Sequence, residues 1–371
     1  MAWCADIGLA RSRAGGGHAR ACRALLALIC IVSVGVSGCS SSSSGLPVYI
    51  GGAELPTTHP AYSTTVQLKY LGAGGVVIKR GSHVLVTAPF FSNPSIPRVA
   101  FGTIQARPDQ IDRFLGQPDN GLAGATAILV GHAHYDHLMD IPYIKAKYLP
   151  TARVYGSDTM KHTLAGDSAF DSSHAVSVEA SAGTHQQPGA WHYATPRLRF
   201  MALKSEHAPV FLHIKVFEGS RDAPLAALPT RAFGWREGQT LAYLIDFLGA
   251  DGATVEFRVH YQDAASTAPL GFPPAFANTQ DQRRVDLAII CVPGFDQVAN
   301  YPEALVDRLQ PRFAVGIHWE NFFALLPGDP KDLRTVPSVD TERFIARLKT
   351  KLPADATFTL PAPGAWMAFA P

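Results

Sequence analysis

The chain has 371 residues, 47% of them hydrophobic and 17% charged, which is ample for a globular core and too long for a small stapled scaffold. Of 32 basic and 30 acidic residues, four arginines and one aspartate fall in residues 1–38, so the rest of the chain stands at a net charge of −1. A near-neutral body gives no electrostatic case for nucleic-acid binding, which calls for a basic patch or stripe.

In chain order, the first feature is an address. Arg11, Arg13, Arg20 and Arg23 precede "ALLALICIVSVGV", an apolar run from Ala24 to Val36. Thirteen residues suit a signal-peptide core and are short for a membrane-spanning helix. "VSGC", Val36 to Cys39, follows, and it resembles a bacterial lipobox. The resemblance implies removal of residues 1–38, acylation of Cys39, and, with Ser40 next, anchoring at the outer membrane of the cell envelope. Residues 39–65 are rich in Ser, Gly and Pro and read as a tether. Cys4, Cys22 and Cys30 leave with the signal, and Cys291 in "LAIICVPG" reads as a buried strand thiol, so no disulfide pair remains.

Residues 66–371 read as one α/β domain. "TVQLKYLGAGGVVIKRGSHVLVTAPF" gives two or three strands with Gly turns. "ATAILVG" is a continuous apolar run, as expected of a strand covered on both faces. "LMDIPYIKAKYL" reads as a helix with Pro142 in its first turns, and "ARVYGS" and "TMKHTLAG" repeat the strand–helix order. The second half offers strands at "RLRFMALKSEH", "TLAYLIDF", "ATVEFRVHYQD", "VDLAIICV" and "FAVGIHW", and helices at "YPEALVDRLQ" and "DTERFIARLKTKL". Residues 208–240, broken by Pro and Gly, read as an inserted loop over the site, a candidate lid.

The chemistry starts at "GHAHYDH", directly after the "ATAILV" strand. His132 and His134 are two apart, so in an extended segment both imidazoles point the same way and reach one metal. Asp136 and His137 follow where the chain turns into a helix; they diverge and serve a second metal. Imidazoles with a carboxylate suit zinc, which takes N and O ligands.

His-x-His-x-Asp-His after an apolar strand resembles the metallo-β-lactamase superfamily. The resemblance covers about residues 66–371 and implies a four-layer αβ/βα sandwich with the metals between two sheets. It implies three further ligands at strand ends, which His207 in "SEHAPV", Asp263 in "HYQDAAS" and His318 in "GIHWENFF" match. By it, His132, His134 and His207 hold one metal, Asp136, His137 and His318 the other, and Asp263 bridges them. Two divalent ions, zinc foremost, are thus expected. His260 competes with Asp263, but three residues before it in a strand it should face the other way.

The chain departs from the family at several points. Ala88 stands where Asp commonly supports the site, Gln262 where Gly precedes the bridging Asp, and Leu138-Met139-Asp140 where lactamases have Gly-Gly. A bridging Asp263 fits hydrolases of esters, lactones and phosphodiesters better than β-lactamases, which lack it. The expected reaction is attack by a hydroxide held between two metals, with Asp136 orienting it. "HAHYDHL" and "HWENFF" resemble the phospholipase-D-like and lactonase branches. The lead expectation is therefore a phosphodiesterase on a lipid-like or small organic substrate. A carboxylic ester or lactone hydrolase is the alternative, and an iron-dependent oxidoreductase of the same fold comes third. Trp319, Phe322 and Phe91, with Phe323 and Phe90, are candidates to line an apolar substrate entrance, although each alone reads as core.

Overall fold

A computed structural model describes residues 45–171, 173–209, 215–278 and 281–370. The leader and Cys39 lie outside these residues.

Two mixed β-sheets face one another. The first is built by β2 (Val66–Gly72), β3 (Gly75–Arg80), β4 (His83–Thr87), β5 (Ala125–Leu129), β6 (Arg153–Gly156), β7 (Ala175–Ser177) and β15 (Trp366–Phe369), in the order β15-β2-β3-β4-β5-β6-β7. The second is built by β1 (Val48–Tyr49), β8 (His192–Thr195), β9 (Leu198–Lys204), β10 (Leu241–Leu248), β11 (Val255–Gln262), β12 (Leu287–Cys291), β13 (Phe313–Ile317) and β14 (Thr357–Pro361), in the order β1-β14-β13-β12-β11-β10-β9-β8. The helices are α1 (Ile96–Phe101), α2 (Pro108–Leu115), α3 (Tyr135–Leu138), α4 (Ile141–Tyr148), α5 (Asp158–Leu164), α6 (Glu303–Leu309) and α7 (Thr341–Lys349).

Side-chain alternation sorts the layers. Leu68, Tyr70, Val76, Ile78, Leu85, Ala127 and Leu129 of the first sheet share one core with Phe200, Ala202, Tyr243, Ile245 and Tyr261 of the second. Their strand neighbours Val77, Val84, Val86 and Ile128 turn outward onto Ile111, Leu138, Ile144 and Met160 of α2 to α5. Both faces of the central strands are therefore apolar, which is why "ATAILV" shows no alternation. The same logic packs Leu305 and Phe344 of α6 and α7 into the core that contains the second sheet.

The glycine-rich stretch at 65–87 forms three strands, and the helix expected over 138–149 begins at Ile141, with Pro142 in its first turn. The expected tether is shorter than 39–65. From Gly45 onward the chain lies on the body: β1 pairs with β14, Leu55 N–H donates to Gln67 Oε1 at 2.6 Å, and Glu54 pairs with Lys79. Polar composition hid this because the contacts are with backbone and with charges far along the chain. Among the described residues no helix is long and apolar enough to cross a membrane.

Asp140 ties α4 to the loop after β4. It is fully buried, and its carboxylate accepts from the N–H groups of Phe91 at 2.7 Å and Ser92 at 2.9 Å and from the Ser92 hydroxyl. Burial pushes its carboxyl up to about 6, the hydrogen bonds opposing. Asp140→Ala, which leaves those donors unpaired, should cost about 2–4 kcal/mol in urea unfolding. A carboxyl whose pKa is raised on folding contributes most at low pH, and that contribution falls as pH rises through the folded value. The cost of Asp140→Asn, read from urea midpoints, should therefore be larger at pH 4 than at pH 7.

Candidate metal centre

The strands deliver their ends to one place. β11, β12 and β13 are parallel, and β9 runs in the same sense through antiparallel β10. Their carboxyl ends lead to His207, Asp263, Cys291 and His318, while β5 of the facing sheet leads to His132 and His134.

All seven residues singled out in the sequence converge there. Ligand atoms lie within 4.8 Å of one another in three groups: His132, His134 and His207; His132, His137 and Asp263; and Asp136, His137 and His318. Asp263 takes one imidazole from each side: Oδ1 is 3.2 Å from His132 Nδ1, and Oδ2 is 3.2 Å from His137 Nδ1. Asp136 Oδ2 lies 3.4 Å from His137 Nε2 and 3.3 Å from His318 Nε2, and those two imidazole nitrogens are 3.2 Å apart.

These donors fit a divalent cation. His132 Nε2, His134 Nε2 and His318 Nδ1 are buried without a hydrogen-bond partner, which is costly unless something binds them. His207 Nδ1 sits 2.6 Å from the carbonyl oxygen of Ala208 and must donate to it, which leaves Nε2 as a lone pair. Burial and the neighbouring His137 push His132 down to about 3, and burial also holds His134 well below its ordinary value. His137 behaves oppositely: burial lowers it, but Asp136 and Asp263 outweigh that and lift it to about 10. Both carboxyls would rise on burial, yet the imidazoles around them hold each below the usual range. The pattern is two anions around one imidazolium, and a bound cation would displace that proton.

Two glycines make room. A Cβ on Gly131 would stand 2.1 Å from Asp263 Oδ1, and one on Gly74 would stand 2.6 Å from His137 Nδ1. Gly131 N–H donates to Asp263 Oδ2 at 3.2 Å, as does the Tyr261 hydroxyl, also at 3.2 Å.

Sequence reasoning missed a second group of supports. His318 sits at φ 64, a left-handed conformation that a non-glycine residue holds only under constraint. Its N–H donates to the Tyr70 hydroxyl at 2.8 Å. That hydroxyl donates to Glu320, whose Oε1 accepts from Ala73 N–H at 2.5 Å. Tyr70 and Glu320 are buried and 250 positions apart, so no local pattern announces them. With Tyr261 they act where Ala88 offers nothing, and the Thr87 hydroxyl beside Ala88 donates to Gly74 O at 2.6 Å. Gln262 Nε2 donates to Ala264 O at 2.8 Å and Ser266 Oγ at 2.6 Å, which pins the turn after Asp263. His260 faces away, its Nε2 donating to Gly271 O at 2.8 Å.

A pocket opens over the centre, walled by Ile96, Val99 and Ala100 of α1, by Val216 and Phe217, and by Phe322 and Phe323. Its floor includes His134, Asp136, His207, Asp263, Cys291 and His318. Of the residues expected at the entrance, Phe322 is there but Trp319 and Phe91 are not. Trp319 is core and donates its indole N–H to Pro361 O at 2.8 Å. Phe91 is buried and stacks on Phe114, 5.4 Å between ring centroids. Phe90 is likewise core, whereas Phe322 lies edge-on to His318 at 4.6 Å. Cys291 is buried as expected, but it also lines the pocket. Among the described residues of 208–240 only a short 3-10 turn at Ala232–Gly234 is regular. This segment hands Glu237 O to Ala133 N–H and sets Phe217 edge-on to His134 at 5.7 Å.

No family model matches the chain, and no curated protein matches it. Solved structures do. A metallo hydrolase from the archaeon Ignicoccus hospitalis is 15% identical at a TM-score of 0.47, over 82% of this chain and 99% of that one. The metallo-β-lactamase fold protein YhfI from Bacillus subtilis is 13% identical at 0.44, over 82% and 99%. CmlA, a diiron β-hydroxylase from Streptomyces venezuelae, is 14% identical at 0.42, over 84% and 55%. This chain, with its two mixed sheets and flanking helices, is similar to these structures at that level.

Gly131→Ala should push the Asp263 carboxylate off its position. Zinc affinity, read by titration calorimetry, should fall about 10–100-fold while the circular dichroism spectrum is kept.

Proposed function

We propose that the protein is a dinuclear metal-dependent hydrolase whose pocket takes apolar esters, phosphodiesters foremost. The observation that carries this reading is the grouping of seven candidate ligands, six of them buried and His207 half-buried, into two sets joined through Asp263, at the floor of a mostly apolar pocket. His132, His134 and His207 would hold one divalent ion, and Asp136, His137 and His318 the second, with Asp263 between. Such ions supply Lewis acidity and bring a water's pKa toward neutrality.

The remaining work falls to the chain itself. Asp136 faces the pocket with its side chain 10% exposed, placed to accept a proton and to orient the attacking water. Phe217 on one side and Phe322 on the other exclude bulk water from the imidazoles they cover. Tyr70 and Glu320 hold the His318 backbone, and Tyr261 holds Asp263, so neither ligand has to reorganise during turnover.

The walls speak to the substrate. Among the described residues that line the pocket there is no Lys or Arg, and Asp296 adds a negative charge. An anionic phosphodiester would find positive charge only at the metals, which fits a monoanion with apolar arms and counts against a dianion. The same absence supports a second reading, a neutral carboxylic ester or lactone. Upstream, the lipobox-like "VSGC" supports anchoring of the chain to a cell-envelope membrane through Cys39.

Metal analysis should return about two ions per chain. Chelator-sensitive cleavage of bis(p-nitrophenyl) phosphate above that of p-nitrophenyl esters would favour the first reading, and the reverse order the second. Iron in place of zinc would point to oxygen chemistry. Asp136→Ala should abolish hydrolysis without unfolding the protein, and wild-type rates in that variant would exclude the proposed role. Cys39→Ser should release the protein from membranes into the soluble fraction.

A further inference from the structure

Two non-glycine residues beside the metal centre hold left-handed backbone: Ala73 at φ 46, in the turn between β2 and β3, and His318 at φ 64, just past the end of β13. They belong to facing sheets. A residue keeps that conformation only where its surroundings fix it, and here one side chain meets both. Glu320 Oε1 accepts from Ala73 N–H at 2.5 Å. Glu320 Oε2 accepts from the Tyr70 hydroxyl, which in turn accepts from His318 N–H at 2.8 Å.

Both ties lead to the same set of ligands. His318 is held directly by its N–H. The turn that carries Ala73 goes on to Gly74, whose backbone lies so close to the His137 ring that a Cβ would stand 2.6 Å from Nδ1 and 2.8 Å from Cε1. The Gly74 carbonyl accepts from the Thr87 and Tyr261 hydroxyls at 2.6 Å and 2.7 Å, which fixes the turn from its other side. Glu320 thus secures the backbone from which His318 points and the turn against which His137 rests. With Asp136, these two imidazoles make up the second set.

The first set is supported from elsewhere. Ala133 N–H, between His132 and His134, donates to Glu237 O at 2.9 Å. His207 Nδ1 donates to Ala208 O, and Ala208 N–H donates to Ala265 O at 2.8 Å. Among the described residues no hydrogen bond of Tyr70, Ala73 or Glu320 reaches His132, His134 or His207. The two sets share Asp263, but their supports are separate.

We propose that Glu320 is the positioning residue of the second metal: through Tyr70 and the turn at Ala73 it holds His318 and His137 in place, and it leaves the first set untouched. Occupancy of the two sites is thereby separable, and a chain weakened at Glu320 holds one ion where the native chain holds two. This inference rests on the dinuclear reading above and names the residue on which the second ion depends.

Zinc titration calorimetry on the full chain, stripped of metal beforehand, reads the two binding steps. Glu320→Gln keeps the shape but turns one accepting oxygen into a donor, so either Ala73 N–H or the Tyr70 hydroxyl loses its acceptor. Tyr70→Phe cuts the link to His318 and leaves the Ala73 bond in place. In each variant one step should weaken about 10–100-fold while the other does not change, with the circular dichroism spectrum kept. The His318→Ala background assigns the step: only the first set binds there, and adding Glu320→Gln should change nothing. Equal weakening of both steps shows a general loosening and overturns the proposal, as does weakening in the His318→Ala background. Two unchanged steps in both variants overturn it alone and leave the dinuclear reading standing. A native chain that binds fewer than two ions overturns both. Tyr70→Phe carries the test if Glu320→Gln does not fold.

Discussion

A carboxylate buried between two sheets has to be met by donors from every direction, and the site depends on how Asp263 is met. Gly131 N–H and His132 come to it from the end of β5, His137 from α3, and Tyr261 from its own strand. The approach is possible only because residue 131 has no side chain. The strand-to-helix turn at His132–His137 must therefore follow one path, and that path fixes the directions of His134 and Asp136 as well. The geometry of the centre is the geometry of a close approach between two sheets, with one carboxylate as the spacer.

Around this spacer, polar and apolar support are kept apart. The Tyr70–Glu320–His318 chain and the Thr87–Gly74–Tyr261 chain lie beneath the ligands, inside the packed layer between the sheets. Above them the pocket walls are mostly apolar. Hydrogen-bonding capacity is consumed in holding the ligands, and little is left facing the opening for a substrate to use. Selection by shape and hydrophobicity follows from that division more than selection by a hydrogen-bond pattern.

The convergence of the seven candidate ligands was legible in the sequence because few residue types hold a metal and strand ends bring them together. The central strands were legible through their unbroken apolar runs. Other features were silent for physical reasons. The strands Thr357–Pro361 and Trp366–Phe369 sit in a Pro- and Gly-broken tail, and helix Pro108–Leu115 buries only Ile111 and Leu115. Tyr70 and Glu320 act through contacts distant in the chain. Trp319 was misplaced because the chain leaves β13 at Ile317 and His318 takes a left-handed conformation, which no local pattern announces. Asp140 stands at the N-cap of α4, yet its carboxylate reaches across to another loop instead of its own helix.

The path of the tail has a bearing on how the molecule is made. β14 closes beside β13 in one sheet, the chain turns at Pro363 and Gly364, and β15 then pairs along β2 in the other. β2 is among the first strands synthesised and its partner is the last, so its outer edge stays open until Trp366–Phe369 has emerged. An open edge is a template for pairing with other chains. A nascent chain therefore cannot complete its first sheet before its end exists. The delay leaves a period of exposure in which a chaperone has something to hold.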